Sequence, residues 1–214
     1  MKTFTVTLLR HGKVNGPAAL YGSTDVDVCA DINQAIAHHI KQQAIPFETI
    51  ISSPLRRCWS LASLINPAQP LISEPVISEP VISEPGFQEM HFGQLDGKPF
   101  DHIATNSDEW RQLERFWQDP ANAHLPEAET LEDFRQRVIA CWSQQIATFQ
   151  GNVLIVTHGG VIRAILAEVL GLDWRNPAWY SGLSISNGSL TQIQVARHDN
   201  QIYFTVRQIG SMLN

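Results

Sequence analysis

Two segments of the chain share one local design. Leu9–Arg10–His11–Gly12 and Val156–Thr157–His158–Gly159–Gly160 each close an apolar run with a histidine and then a glycine. Imidazole can serve as nucleophile, base or cation near neutral pH. Glycine lets backbone N–H groups approach a ligand closely. A third segment, Ser52–Ser53–Pro54–Leu55–Arg56–Arg57, reads as the entry to a helix. A helix N-terminus favours anions, and an arginine there adds a planar fork suited to phosphate oxygens. A fourth, Phe87–Gln88–Glu89–Met90–His91–Phe92–Gly93, sets Glu89 among apolar neighbours, where a carboxylate is suited to proton transfer. Each segment alone has a plainer reading: a structural histidine, a solvated arginine, a surface glutamate. Two His-Gly pairs at matching places tip the balance toward a shared anion-handling site. Neither HxH nor HExxH spacing occurs, so no metal site is expected of these residues.

These groups need elements to hold them. Thr3 to Leu9 alternates threonine with Phe4, Val6 and Leu8, which is strand periodicity. Residues 12–30 are rich in Gly, Asn, Asp and Pro and read as a long loop. Asp31 is placed to cap a helix that carries Ile32, Ile36 and Ile40 on one face and ends near Ala44. Glu48 to Ser52 reads as a short buried strand. Ser53 and Pro54 read as the N-cap and first residue of a helix to about Ile65. Lys98 to Trp117 has an amphipathic helical pattern, interrupted around Thr105–Asp108. Thr130 and Asp133 resemble a capping box for a helix to about Phe149. The all-apolar Val153–Val156 predicts a central parallel strand, followed by a helix over Val161–Leu170 that stops at Gly171. Leu190–Val195 and Ile202–Val206 read as strands joined by a polar turn. The alternation predicts an open α/β sheet with helices on both faces. Ligands of such sheets sit beyond the carboxyl ends of strands, where both histidines fall.

Residues 71–75, 76–80 and 81–85 read LISEP, VISEP and VISEP. Units of five residues are too short to build a core, and a proline in each removes a ladder donor. One copy is expected to hold a strand and the others to form a surface excursion, leaving Glu89 able to reach the site.

At 214 residues the chain suits one domain, at roughly 100–200 residues per domain. Hydrophobic residues at 43% and charged residues at 17% exclude a disordered or fibrous class. The net charge of −6 argues against a general nucleic-acid binder. It does not exclude a small phosphate ester meeting a local cluster of Arg10, His11, Arg57 and His158, so the charge constrains substrate size more than sign. The three cysteines, Cys29, Cys58 and Cys141, form no CxxC pair and suggest reduced thiols. The start, MKTFTVTLLRHG, is too short and polar for a leader's apolar region, and no run suits a membrane span. A cytoplasmic location is expected, with neither membrane nor nucleic acid as partner.

The assembled motifs resemble the histidine phosphatase superfamily, the branch related to cofactor-dependent phosphoglycerate mutases. RHG at 10–12 is its signature. SSPLRRCWSLA at 52–62, FQEMHFGQLDG at 87–97, PEAETLEDFRQRV at 126–138 and VLIVTHGGVIR at 153–163 resemble its later motifs, in order and over nearly the whole chain. The resemblance implies a three-layer, mostly parallel sheet of the phosphoglycerate mutase-like type. It implies a single domain, residues 1–214, with a small helical cap at about 98–128. It implies His11 as the nucleophile that becomes a phosphohistidine, with Arg10, Arg57 and His158 around the phosphoryl group. Glu89 is implied as the acid that protonates the leaving oxygen. Arg57, not Arg56, takes the family's arginine position. Neither metal nor other cofactor is implied. The partner is a small phosphorylated substrate, and a homodimer is allowed.

Several positions depart from the family pattern. Lys13 replaces an acidic residue, Pro17 stands where asparagine is common, Asp96 replaces the glutamate of WEG, and PGGES becomes PEAET. These affect outer substrate contacts, leaving the four central groups in place. Residues 16–28, GPAALYGSTDVDV, resemble the LYGxTDxPL loop of alpha-ribazole-5′-phosphate phosphatases, which act on a cobalamin precursor. Tyr21 and Gly22 of this loop, Gly12 and Gly159 after the two histidines, and Asn15, displaced from the family's asparagine position at residue 17, are expected at the substrate. Tyr21 is equally a loop anchor. Trp110 and Trp117 read first as packing of their helix and second as lining of a substrate mouth. Asn187–Gly188–Ser189 reads as a turn that comes near the site. A mutase would use the same catalytic groups but retain its phosphoenzyme against water. A non-enzymatic phosphate-recognising module is the rival from another class, and would bind phosphate without forming phosphohistidine.

Overall fold

The structure, a computed structural model, describes residues 2–66, 81–199 and 201–212. The strands are β1 (Lys2–Arg10), β2 (Thr49–Ser52), β3 (Ile82–Ser83), β4 (Val153–Thr157), β5 (Leu190–His198) and β6 (Gln201–Ser211). The α-helices are α1 (Ala30–Gln42), α2 (Arg56–Ile65), α3 (Asp108–Gln118), α4 (Leu131–Thr148), α5 (Gly159–Leu170) and α6 (Ala178–Gly182). The strands form one sheet in the order β3-β2-β4-β1-β5-β6. β3, β2, β4 and β1 run parallel, while β5 and β6 join antiparallel at one side.

Adjacent residues of a strand face opposite sides of its sheet, so a strand covered on both faces must be apolar throughout. Leu9, Ile50, Leu154 and Val156 pack with Ala37 and Ile40 of α1 and with Leu61, Ala62 and Ile65 of α2. Their neighbours Leu8, Ile51 and Ile155 pack on the other face with Phe134, Val138, Trp142 and Ile146 of α4 and with Val161, Ile162 and Ile165 of α5. This gives the expected three layers. Leu113 and Phe116 of α3 are buried in the second cluster, so residues of the 98–128 segment share the core of the sheet.

Several element ends differ from expectation. α1 begins at Ala30 with Cys29 as N-cap, and Asp31 lies in the first turn without a capping bond. There its charge still complements the helix dipole. α2 begins at Arg56 with Leu55 at the cap in an extended conformation, and Ser53 Oγ accepts from Leu55 N at 3.4 Å while His158 Nε2 engages it at 2.8 Å. The Lys98–Trp117 stretch is a 3-10 turn at Phe100–His102 followed by α3, whose N-cap Ser107 accepts from Trp110 N at 3.1 Å. Thr130 caps α4 as expected, accepting from Asp133 N at 3.0 Å. α5 starts earlier than expected, at Gly159, and ends at Gly171 with φ +64°. α6 has no counterpart in the sequence reading.

The third repeat copy supplies β3, pairing Ile82 with Ile51 and Ser83 with Ser52. Copies 71–75 and 76–80 lie outside the described residues. Among the described residues no helix is long and apolar enough to cross a membrane.

Candidate active site

β1 and β4 are parallel neighbours with Arg10 opposite Thr157, so His11 and His158 emerge side by side. Their ring centroids are 5.1 Å apart, edge to face. The backbone at His11 is clamped from both flanks. His11 N donates to Thr157 O at 3.0 Å, and Gly188 N donates to Arg10 O at 3.0 Å. Asn187 Nδ2 donates to the carbonyls of His11 (3.1 Å) and Gly12 (3.3 Å). The sequence leaves Asn187 between turn and site; its amide fixes the loop that carries the first histidine.

His11 Nδ1 lies 2.7 Å from Gly12 O. A carbonyl can only accept, so Nδ1 carries the proton and Nε2 of the neutral ring keeps its lone pair. Burial, reinforced by the charges of Arg57 and Arg10, pushes the imidazole down to about 3. His11 is therefore neutral at physiological pH.

His158 is fully buried. Arg57 Nε donates to its Nδ1 at 3.3 Å, and its Nε2 lies 2.8 Å from Ser53 Oγ. A guanidinium only donates, so the neutral ring carries its proton on Nε2 and gives it to the serine. Burial and the neighbouring His11 and Arg57 hold His158 well below 6.5. Arg57 is itself fully buried. Its Nη1 donates to Thr24 O at 2.9 Å, and its Nη2 to Tyr21 O at 3.1 Å and Gly22 O at 2.5 Å. Arg56 points elsewhere, pairing with Asp25 and Asp27 at the surface.

The 21–24 loop that covers Arg57 is tied down by Asp96. This carboxylate accepts from the backbone N–H groups of Ser23 (2.9 Å), Thr24 (2.9 Å), Gly22 (3.3 Å) and Phe92 (3.0 Å). Burial pushes its pKa up, but these donors outweigh burial and hold it below 3.8. Asp96, which stands where the family pattern has glutamate, thus fastens the loop over Arg57. Gly22 must be glycine here, because a Cβ would lie 2.0 Å from Met90 O.

Glu89 is presented by an anchored loop. Arg137 Nη1 donates to Gly86 O (3.0 Å) and Gln88 O (3.2 Å), while its Nε and Nη2 bind both oxygens of Glu129. The PEAET…R stretch therefore serves to hold the acid's loop. Gly160 N donates to Glu89 Oε2 at 3.1 Å, and Met90 N to Oε1 at 3.2 Å. A Cβ on residue 160 would lie 2.2 Å from Glu89 Oε1, so the second glycine of the HGG run makes room for the carboxylate. That role is legible in the sequence only as a doubled glycine.

Arg10, His11, Tyr21 and Glu89 line one cleft of about 410 Å³, together with Lys13 and Asn187. Arg10 Nη1 donates to Ile185 O, and Arg10 Nε is buried with no hydrogen-bond partner among the described residues. Tyr21 is both rim and anchor, its hydroxyl donating to Pro17 O at 2.8 Å. The other expected site residues stand off from the cleft. Arg57 and His158 are not among the cleft's lining residues, and their polar atoms are engaged by each other, by the Tyr21, Gly22 and Thr24 carbonyls and by Ser53 Oγ. Gly12 lies beneath the nucleophile, and a Cβ there would come within 2.9 Å of Val28. Gly159 packs against Arg10, 3.4 Å from a Cβ position. Asn15 is exposed outside the cleft lining, its backbone N–H donating to Asp27 O at 2.9 Å. Arg163, one helical turn beyond Gly159, carries no sequence signal that sets it apart from a solvated helix arginine. It donates from Nε (3.2 Å) and Nη2 (2.8 Å) to Leu183 O and lies in the field of Glu89.

Among the described residues no group of three or more His, Cys, Asp or Glu side chains is placed to hold a metal ion. A neutral imidazole, the Arg10 guanidinium and the Glu89 carboxyl at one cleft, with Arg57 buried nearby, are equipped for phosphoryl transfer.

Comparisons with known proteins agree with this reading of the fold. A candidate phosphoserine phosphatase of Hydrogenobacter thermophilus is 27% identical over 158 residues, 69% of this chain and 66% of that one, which is just under two thirds of the relative's length. YhfR of Bacillus stearothermophilus superposes with a TM-score of 0.78 at 22% identity, over 98% of both chains. The alpha-ribazole phosphatase of Shigella flexneri superposes with a TM-score of 0.72 at 23% identity, over 97% of this chain and 96% of that one. The sequence matches the histidine phosphatase superfamily (branch 1) over residues 6–206, and the chain belongs to that family.

Proposed function

We propose that the protein is a phosphomonoester hydrolase working through a phosphohistidine on His11, with alpha-ribazole 5′-phosphate or a related small ester as substrate. The observation that carries the proposal is the state of His11: neutral, proton fixed on Nδ1 by Gly12 O, and set in the cleft wall. Nε2 attacks phosphorus as the ester P–O bond breaks, and Glu89 gives its proton to the departing oxygen. Glu89 then takes a proton from water, the water oxygen attacks phosphorus, and the P–N bond breaks to release phosphate and neutral His11.

The buried Nε of Arg10 can donate to a phosphoryl oxygen and so gain the partner it lacks. Arg57 acts on the nucleophile by helping to hold His11 neutral, and His158 acts by fixing Arg57 through its Nδ1. Direct contact of Arg57 with the phosphoryl group requires its exchange of the Tyr21, Gly22 and Thr24 carbonyls for phosphoryl oxygens. The LYG loop and the alpha-ribazole phosphatase likeness in fold support the substrate assignment.

The test is a panel of phosphomonoesters that includes alpha-ribazole phosphate and phosphoglycerates, run on wild type and His11→Ala with acid-quench trapping of the phosphoenzyme. A trapped phosphohistidine in wild type alone, with multiple turnovers and no stimulation by bisphosphoglycerate, is expected. A phosphoenzyme that persists in water and transfers to phosphoglycerate marks a mutase. Phosphate binding with no trapped intermediate marks a binding module.

A further inference from the structure

A second cavity, of about 350 Å³, adjoins the catalytic cleft. The two share Leu20, Glu89 and Phe92, so they are chambers of one depression with the carboxylate at the junction. The first chamber holds the nucleophile and its cations. The second is walled by rings from four elements: Phe92, Phe116 and Trp117, Phe134 and Tyr180.

These rings are fixed in place. Phe116 stands edge to face with Phe92 at 6.1 Å. Trp117 stands edge to face with Phe100 at 5.5 Å and with Trp110 at 5.9 Å. Trp117 is nevertheless 42% exposed and lies outside the core clusters, which corrects its sequence reading as helix packing. Holding a large aromatic rigid while leaving it wet gains little for the fold. It does prepare an apolar wall that is already ordered before a ligand arrives. Tyr180 brings no spare donor, since its hydroxyl donates to Trp174 O at 2.8 Å. Arg163 is the cation of this lining, with two of its nitrogens bound to Leu183 O and its charge facing Glu89.

We propose that this chamber takes the leaving group, and that it selects phosphomonoesters whose alcohol carries an apolar ring over esters of small carboxylated alcohols. The proposal rests on the phosphatase reading above and adds the substrate class. A ring displaces water from the aromatic walls and stacks on rings already in position. A carboxylate in the same place loses its hydration among the rings of Phe92, Phe116 and Phe134. The shared position of Glu89 then has a clear use. An ester that spans both chambers puts its bridging oxygen beside Glu89, whose carboxylic acid form supplies the proton.

The test compares three esters of primary alcohols, so that bond cleavage is alike: 2-(1-naphthyl)ethyl phosphate, ethyl phosphate and phosphoserine. Wild type is expected to favour the naphthyl ester at least tenfold in kcat/KM over both others. Trp117→Ala is expected to lower that value at least tenfold, through KM, with a smaller loss for ethyl phosphate. Equal values for the three esters in wild type, or an equal loss for all of them in the variant, overturn the proposal. Calorimetric binding of the naphthyl ester to His11→Ala reads the chamber without turnover. Adding Trp117→Ala in that background is expected to weaken Kd tenfold, and an unchanged Kd overturns the proposal even if no ester is hydrolysed. Tight binding of the naphthyl ester with no phosphohistidine in wild type would instead overturn the phosphatase reading while leaving the chamber in place.

Discussion

The two His-Gly strand ends look alike in sequence and sit side by side, yet they have opposite surroundings. His11 leads into a loop and keeps one ring nitrogen for the cleft, with the other held by a backbone carbonyl. His158 is the N-cap residue of α5, and both its nitrogens are engaged inside the protein, by Arg57 and Ser53. The same strand-end position thus yields a candidate nucleophile where the chain turns away, and a buried polar hub where a helix begins at once. The difference teaches that a strand-end histidine is defined by the element it leads into and by the groups already on its nitrogens.

The largest expected effect separates the two. His11→Ala is predicted to cut kcat by about 10⁴-fold or more, with loss of the trapped phosphoenzyme, because no other imidazole among the described residues lines the cleft. His158→Ala is predicted to act first on stability. It strands Arg57 Nε and Ser53 Oγ in the interior, at a cost of roughly 2–4 kcal/mol in denaturant unfolding. Phosphohistidine should still form on His11 in that variant, more slowly. A His158→Ala protein as stable as wild type but as inactive as His11→Ala would break the comparison.

The pH dependence sharpens it further. The folded value of about 3 for His11 lies below its ordinary 6.5, so folding favours the neutral ring. The stability linked to it is full above 6.5 and drains as pH falls from 6.5 toward 3. His158 drains in the same direction. Denaturant midpoints at ~pH 7 and ~pH 4.5 should therefore converge in His11→Gln relative to wild type, since one of the two rings no longer titrates. A gap unchanged from wild type would show that His11 is not held neutral by the fold.

Smaller effects probe the supports. Ser53→Ala removes the acceptor of His158 Nε2 and should cost about 1–2 kcal/mol of stability in denaturant unfolding. Asp96→Asn keeps size but weakens the hold on the 21–24 loop, and should lower kcat/KM by roughly tenfold or less, with most of the stability kept. A loss as large as that of His11→Ala would place Asp96 in the chemistry itself.

Much of this arrangement is legible in the chain. Alternating threonines and apolar residues mark β1, and the all-apolar 153–156 run marks β4, so the two histidines can be placed at neighbouring strand ends. Glu89 and Arg57 are legible through their motifs. The hidden part depends on contacts between distant segments. Ser53 looks like a helix cap, but a histidine 105 residues away in sequence claims its hydroxyl. Asn187 looks like a turn residue until β5 pairs with β1 and brings its amide to the His11 carbonyl. Asn15 carries the right side chain near the right motif, but the loop directs its backbone to Asp27 and leaves it outside the cleft.

The last VISEP copy also bears on how the gene can change. Its Ile82 and Ser83 are paired to β2, and Glu84 caps the turn at Pro85–Phe87 and accepts from Gln145 Nε2 at 2.7 Å. The approach to Glu89 is therefore fastened downstream of the other two copies. In-frame slippage that adds or deletes a five-codon unit before residue 81 leaves the residues that make this fastening unchanged in the sequence. The described contacts that fasten the approach to Glu89 thus belong to the third copy, which makes it the unit whose loss would be felt at the site.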